Sequence, residues 1–451
     1  MKHILSELRL TVALALPIAT GHVGQMLIGV VDTAMIGHAG VVPLAAAGFA
    51  NSTNIAPLVG GMGILSAVGV CSALAYGAKD TVAGSRSFTA GMALAFIVGC
   101  LIFAILIGLS FFLHLFGQPP EVITEVRPYF LICAASMIFV MLTTGAKSVF
   151  EAINRPWLPF WIVMGSVALN AGLNWIMIYG NLGCPAMGLT GAAWATFIAR
   201  FVAMLVLVAL ICKKIPFLWG GIIKEIFRQI RLGFPIGLSL FFETLAFGVA
   251  GLMVGWIDAT SMAAHQIAMT CGGIFFMFSL GISQAACVRI GHMRGSGELD
   301  RTRHIARGSL LLSAKIMLIG TAFFIIFRHQ ITSCFTSAPE LASITAVLLI
   351  FAGCFQLFDG AQVVASGILR GFEDVRFPLF IYIFTYWVIV LPLCYLLGFT
   401  CGFGLYGIWV ALTLGIVSVA LSLVLRVEWR IRNLTSSPIK GLGDNSWQRE
   451  K

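Results

Sequence analysis

The sequence predicts an all-α, polytopic membrane protein with twelve transmembrane helices in two six-helix lobes. Three observations support this: an apolar composition, long apolar runs and a one-sided distribution of basic residues. Of the 451 residues, 59% are apolar and 10% are charged, whereas soluble globular chains carry about 25% charged residues. A bilayer is the solvent that suits such a chain, and only helices or closed barrels satisfy their backbone in it. Runs of about 20 residues favour helices over the short alternating strands of a barrel.

The first apolar run follows Lys2 and Arg9 and resembles the start of a signal peptide. The run is longer than a cleaved apolar region of about 7–15 residues, so we expect it to be the first transmembrane helix. Eleven more runs follow, separated by charges or turn-forming residues. The twelve predicted spans lie near 10–36, 44–76, 87–114, 124–150, 157–179, 187–211, 230–256, 260–291, 304–327, 341–370, 376–399 and 404–426.

Basic residues lie almost entirely on one side of these spans. The N-terminus, the even-numbered loops and the C-terminal tail hold 24 of the 28 Lys and Arg residues. The odd-numbered loops hold Arg127 and Arg328, while Arg200 and Lys315 lie inside spans. The positive-inside rule therefore predicts that both termini are cytoplasmic. We expect the protein to be integral to a plasma membrane, in the first place a bacterial inner membrane. The net charge of +10 then reflects these loops rather than nucleic-acid binding.

The basic connection at 212–229 divides the chain into a lobe at 1–211 and a lobe at 230–432. A polar cytoplasmic tail, expected to be disordered, follows at 433–451. The lobes resemble each other: Pro17 and Pro235 are 218 residues apart, and the same offset aligns "LAAAGFA" with "MAAHQIA". With six spans per lobe the repeat is parallel. Two such lobes favour a carrier with a cavity between them and alternating access, although repeats also build channels.

Three acidic residues, Asp32, Glu243 and Asp359, fall inside predicted spans. Glu243 lies 12 residues after Arg231 and Asp359 lies 11 residues before Arg370, which places both carboxyls about 17–18 Å from the same side. Paired carboxyls at one depth can share a proton or bind Na⁺. A functional role is the default hypothesis for buried charges in a membrane. The structural alternative is a pair of neutral, hydrogen-bonded acids that fix helix packing.

Asp32 belongs to the other lobe, where Asn170 and Asn174 share one face of the fifth span. We expect these amides to bond Asp32, although Asn bridges also simply join membrane helices. For Arg200, Lys315 and His265 we expect structural roles, with a helix-packing hydrogen bond for His265. No CxxC or Cys/His cluster occurs, so no cofactor is predicted.

Six segments together resemble the multidrug and toxic compound extrusion (MATE) family, in its NorM-type branch. The resemblance extends over about residues 10–430. The segments are "GVVDTAMIG" (29–37), "LNAGLNWIMIYG" (169–180), "RLGFP" (231–235), "LFFETLAFG" (240–248), "AAHQIA" (263–268) and "DGAQVVASGILRGFED" (359–374).

The resemblance implies an antiporter that exports organic cations in exchange for Na⁺ or H⁺. It implies a coupling role for Asp32, linked with Asn170 and Asn174. It likewise implies that Glu243 and Asp359 form the acidic pair that couples to the ion.

Two further residues are expected to support that pair. Phe355 and Gln362 lie about one turn on either side of Asp359. The family can have a Tyr at the position of Phe355, so this chain lacks one hydroxyl oxygen there.

Alternative functions remain at this stage. A lipid-linked saccharide flippase of the same superfamily would need a cationic cavity, for which Arg200 and Lys315 are the candidates. An intramembrane aspartyl hydrolase would use Glu243 and Asp359 as its dyad, but no nucleophile or metal motif supports an enzyme. The expected partners are the lipid bilayer, small cationic substrates and the coupling ion; we expect a monomer that binds no nucleic acid.

Overall fold

The structure, a computed structural model, describes residues 2–38, 40–116, 119–336 and 338–434. Within these ranges it contains helices and short connections but no strand, and twelve helices are long and apolar enough to cross a membrane. The predicted fold class and number of spans are therefore confirmed. The helices are α1 (Lys2–Gly37), α2 (Val41–Gly77), α3 (Thr81–Ser110), α4 (Pro120–Ala152), α5 (Trp157–Tyr179), α6 (Gly188–Cys212), α7 (Ile222–Gly255), α8 (Ala259–Ser296), α9 (Leu299–Phe335), α10 (Pro339–Gly371), α11 (Arg376–Thr400) and α12 (Gly404–Arg432).

Helix α7 begins at Ile222 rather than at residue 230, so the central connection is shorter than predicted. Apolar and charged residues alternate at helical spacing in its first turns, and Glu225 pairs with Arg228 three residues on, at 3.6 Å. A hydropathy pattern stops at such charges, but a helix continues through them. Most of the predicted C-terminal tail, residues 435–451, lies outside the described residues.

Helix α11 departs from regular α-helical geometry on both sides of Pro392. Phe384–Val390 and Leu396–Thr400 form π-helical turns. Proline has no N–H and its ring crowds the carbonyl one turn earlier, so wider turns accommodate it. In the first of these turns, Trp387 Nε1 donates a hydrogen bond to the Phe242 carbonyl at 3.1 Å, which ties α11 to α7.

Each half of the chain packs around a central helix. We call α1–α6 the first lobe and α7–α12 the second lobe. In the first lobe α4 packs against α2, α3 and α6, and in the second lobe α10 packs against α8, α9 and α12. Phe130 and Phe150 are fully buried in one core, and Tyr386 and Trp409 in the other.

The lobes meet along a seam in which α1 and α2 face α7 and α8. Glycines allow the backbones to touch: a Cβ on Gly63 would lie 2.6 Å from Gly237 Cα, and one on Gly233 would lie 2.1 Å from the Ile64 carbonyl oxygen. Small residues permit this close packing of membrane helices. Any larger side chain at either glycine would force the lobes apart.

The seam is sealed at one end only. We call the end that carries the connections 78–80, 153–156, 213–221, 297–298 and 372–375 the basic side. Near it, Glu7 pairs with Arg289, and Gln229 donates to the Ser87 carbonyl at 2.9 Å; all four residues are buried.

Toward the other end of the bundle, the opposite side, the lobes separate. Deeper along the seam, His22 Nε2 and Gln284 Oε1 still lie 3.2 Å apart. Beyond this level, a Cβ on Gly29, Gly48 or Gly248 would meet nothing within 4 Å among the described residues. The hydrogen bonds and ion pairs named here between the lobes thus lie between the basic side and the level of His22, and we call the remaining part of the interface between the lobes the cleft.

Candidate functional site

The acid of the first lobe lies in a chain of polar side chains. Asp32 on α1 is half-buried, and its Oδ1 accepts a hydrogen bond from Asn174 Nδ2 on α5 at 2.5 Å. Asn174 also donates to Asn170 Oδ1 at 3.4 Å, and Asn170 Nδ2 donates to Thr196 Oγ1 on α6 at 3.3 Å. Asn174 therefore contacts Asp32 directly, whereas Asn170 reaches it only through Asn174.

Arg200 lies one turn beyond the end of this chain on α6 and bonds to a different helix. It is half-buried, lies four residues after Thr196, and its Nη1 donates to Ser136 Oγ on α4 at 2.7 Å. Its charge is close enough to Asp32 to interact with it. Lys315, by contrast, is exposed on α9. The two mid-span cations therefore do not form a joint cationic cavity of the kind that the flippase alternative requires.

The second lobe surrounds Glu243 with hydrogen-bond donors. Glu243 on α7 is half-buried, and its Oε1 accepts from Gln362 Nε2 on α10 at 2.6 Å and, more weakly, from the Tyr386 hydroxyl on α11 at 3.5 Å. The Tyr386 hydroxyl also lies 3.2 Å from Gln362 Oε1. Gln362 and Tyr386 are 0% and 1% exposed. Three helices thus converge on one carboxyl.

Asp359 lies beside this cluster, close enough to Glu243 for their charges to interact. It is half-buried, and no hydrogen bond to its carboxyl is seen among the described residues. Phe355, one turn away, packs edge-on against Phe247 and Trp409, with ring centroids 6.0 and 6.2 Å apart. The second lobe therefore presents one carboxyl held by donors and a second that is free of them.

The hydrogen bond predicted for His265 is not seen. Its Nδ1 is buried without a partner in the described part of the chain, and its ring packs edge-on against Trp409 at 5.6 Å. The prediction assumed that a buried imidazole finds a polar neighbour on an adjacent helix. Here an aromatic ring occupies that place.

Sequence reasoning missed Tyr386, Thr196 and Ser136. Tyr386 and Tyr382 occupy one face of α11 at a spacing of four residues, so a hydroxyl stripe within an apolar span was the available signal. Nothing in the sequence alone indicates which helix such a stripe faces. For Ser136 and Thr196, membrane spans contain many similar hydroxyls that only bond their own backbone.

The arrangement suits the exchange of a proton or another cation. Three half-buried carboxyls lie within the bundle, two in the second lobe and one in the first. In the described residues no group of three or more His, Cys, Asp or Glu side chains is placed to hold a metal ion. Na⁺ prefers oxygen lone pairs, but Gln362 offers the Glu243 carboxyl an N–H, and Phe355 offers no oxygen.

Comparison with known proteins agrees with this architecture. The family model MatE matches residues 17–176 and 235–396, two segments that begin 218 residues apart. "Probable multidrug resistance protein NorM" of Rhodopseudomonas palustris is 34% identical over 95% of this chain and 92% of its own length. "Multidrug resistance protein NorM" of Burkholderia vietnamiensis is 31% identical over 95% of both chains.

Solved structures show the same fold. A MATE-family transporter in an outward-facing conformation superposes with a TM-score of 0.87 at 20% identity, covering 96% of this chain and 97% of that one. A eukaryotic MATE transporter gives a TM-score of 0.87 at 18% identity, covering 96% and 98%. On the match to the family model and the near full-length relatives, the chain belongs to the MatE family and is an integral membrane transporter, not an enzyme.

Proposed function

We propose that this protein exports organic cations and cationic drugs in exchange for an inward-flowing ion. The observation that carries the proposal is the pair of half-buried carboxyls, Glu243 and Asp359, on facing helices of one lobe. Such groups are costly in a membrane unless they bind a proton or a cation. The names of the relatives, as multidrug resistance proteins, support the same substrate class.

The orientation proposed is that the basic side is cytoplasmic, so both termini lie inside the cell. It is supported by the 24-to-2 distribution of Lys and Arg between the two sides. In this orientation the cleft opens outward. We further propose a bacterial inner membrane as the location, a monomer as the working unit, and no cofactor besides the coupling ion.

Exchange follows from competition for negative charge. In the outward-open state the carboxyls take up the ion, which displaces the cationic substrate into the medium. In the inward-open state they release the ion and bind substrate. The bound ion weakens the binding of substrate, and bound substrate weakens the binding of the ion to the same extent. The size of this effect is the coupling free energy between the two ligands. The movement of one charge across a membrane potential of 100 mV changes the free energy by about 2.3 kcal/mol. Exchange of one H⁺ for one monovalent cation moves no net charge. Such an exchange is therefore driven by the pH gradient and not by the membrane potential.

The proton is the coupling ion that these residues suit better. The Glu243 carboxyl is met by an amide N–H and by a hydroxyl placed to donate to it, which is a setting for a carboxylate that gains and loses a proton. Purified protein should release protons when a fluorescent organic cation is added, and Na⁺ should not release the bound dye. Release of dye by Na⁺ at constant pH would instead assign Na⁺.

Transport in inverted membrane vesicles tests the function. Ethidium uptake should respond to an imposed pH gradient, and Glu243→Gln and Asp359→Asn should each abolish the coupled component, because an amide cannot exchange a proton. Glu340→Gln, which alters an exposed acid at the start of α10, is the matched control and should transport normally. Full coupled transport by the Glu243→Gln/Asp359→Asn double variant would overturn the proposal.

A further inference from the structure

A chain of polar side chains inside the first lobe leads from Asp32 toward Arg200. The chain runs from the Asp32 carboxyl through Asn174 and Asn170 to Thr196, with successive distances of 2.5, 3.4 and 3.3 Å. Arg200 follows Thr196 by one turn of α6. A carboxylate and a guanidinium therefore lie in one polar region of the first lobe, although the hydrogen bond of Arg200 goes to Ser136 on α4 and not to Thr196.

Arg200 is the only charged side chain of α5 and α6 together, and α2 carries none. Its Nη1 is fixed on Ser136, which is 0% exposed, so the guanidinium is held inside the lobe rather than extended to a membrane surface. Burying a guanidinium at mid-span is costly. Packing alone does not require a permanently charged side chain at this position. A carboxylate nearby would balance the positive charge of Arg200.

The two lobes differ in their balance of charge. In the first lobe, Asp32 is matched by Arg200. In the second lobe, Arg370 lies within electrostatic range of Glu243 and its Nη2 is bonded to Ser283 at 2.9 Å, whereas no cation among the described residues is seen to act on Asp359. One negative charge of the second site therefore remains unmatched.

We propose that Arg200 is the fixed counter-charge of Asp32, so that the first-lobe site is neutral and a cationic substrate is held by the second lobe. This inference rests on the proposed export of organic cations and specifies which site binds them. The physical basis is Coulombic: at an effective dielectric constant of about 20, one unit charge several ångströms away changes the affinity for a monovalent cation by roughly tenfold or more. Arg200 is thus a specificity-determining residue, since it keeps cations away from Asp32.

A charge cycle on the full-length purified protein tests this. The measurement is the Kd of ethidium at one fixed pH and low ionic strength. Arg200→Gln leaves Asp32 unmatched and should tighten binding roughly tenfold. Asp32→Asn leaves Arg200 unmatched and should weaken binding by a similar factor. The double variant is neutral again and should return to within about twofold of the wild type. Arg200→Lys keeps the charge and should resemble the wild type.

The directions in which the Kd of ethidium changes distinguish this assignment from a purely structural role of Arg200. If Arg200 only packs the lobe, both single variants should bind more weakly and the double variant more weakly still. That outcome, or identical Kd values in all four proteins, would overturn the assignment. Should Arg200→Gln fail to fold, the comparison of Asp32→Asn with the double variant still tests the assignment, because removing Arg200 in the Asp32→Asn background should then restore affinity about tenfold rather than weaken it further.

Failure of the proposed function gives a different pattern. A wild type that binds no ethidium, or a Glu243→Gln variant with unchanged Kd, would contradict cation binding at the second lobe. If Arg200→Gln nevertheless gains ethidium binding that disappears in the double variant, the counter-charge assignment stands on its own.

Discussion

At the scale of single residues, the neighbours of Glu243 are hydrogen-bond donors, although the surrounding helices are apolar. The Gln362 amide lies 2.6 Å from the carboxyl and is itself held by Tyr386. A donor fixed by a second partner loses little entropy when the carboxyl becomes charged. The cluster is therefore prepared for the ionised form of Glu243, which is the state that receives either a proton or a substrate.

Replacement of Gln362 by Met tests this role. Met fills a similar volume but removes the N–H, and a hydrogen bond to a charged group contributes about 1.5–3 kcal/mol. We expect pH-driven ethidium transport to fall about tenfold or more. Gln266→Met, an exposed position on α8, is the control and should transport like the wild type. Normal transport by Gln362→Met would show that the Glu243 carboxyl does not depend on this donor.

The site residues that could be identified from the sequence were those with charged or strongly polar side chains inside apolar spans, where such side chains are unfavourable. Asp32, Glu243 and Asp359 were identifiable because a charge inside an apolar run needs a reason. Asn170 and Asn174 were identifiable because four residues separate them on one helix. Tyr386 was not, since a tyrosine is ordinary in a membrane span and its contact with Glu243 depends on how α11 packs against α7.

At the scale of helices, composition predicted the spans but not their ends. Hydropathy detects the part of a helix that lipid surrounds, whereas helix ends are set by caps and hydrogen bonds. Asp258 illustrates this at the start of α8, where its carboxylate accepts from the Ser261 backbone N–H at 2.6 Å and from the Ser261 hydroxyl at 2.7 Å. The hydroxyl and backbone donors of Ser261 lower the pKa of this exposed carboxyl.

The Asp258 cap should make stability depend on pH. A carboxyl whose pKa is lowered by folding stabilises the native state above its unfolded pKa of about 3.9 and loses this effect as the pH falls through the folded value. We expect Asp258→Ala to lower Tm by about 1 °C at neutral pH, with the difference shrinking at acidic pH. Asp258→Asn retains an acceptor and should stay close to the wild type. An equal loss for both variants at every pH would exclude the cap as the cause.

At the scale of the whole molecule, the repeat predicted two lobes, but it could not predict which end of the cleft is open. The proposed alternating access requires states that open on either side, which would differ in their contacts across the seam. In this structure those contacts lie at the basic side. Glu7 accepts a hydrogen bond from Arg301 Nε at 2.9 Å as well as one from Arg289, so a buried acid of one lobe joins two helices of the other.

These ion pairs should hold the basic side closed. When that side opens, water reaches Glu7 and Arg289 and their ion pair is no longer needed. Removing the charge of Glu7 therefore destabilises mainly the closed state. In that state Arg289 would be buried without its ion-pair partner, at a cost of about 3 kcal/mol or more. Cys71, on α2 near Arg228 of α7, is 1% exposed and reports on the seam. Glu7→Gln should raise the rate of maleimide labelling at Cys71 about tenfold or more, measured by mass spectrometry of the labelled peptides.

Two controls make this measurement specific. Cys133, in the core of the first lobe, should label at its wild-type rate if the lobes separate without unfolding. Glu298→Gln, which removes an exposed partner of Arg301, should leave Cys71 protected. If Cys71 and Cys133 become reactive together, the variant loosens the fold rather than the seam. If Cys71 stays protected in Glu7→Gln, the ion pairs do not hold the lobes together, and the contacts at Gly63 and Gly233 suffice to keep the basic side closed.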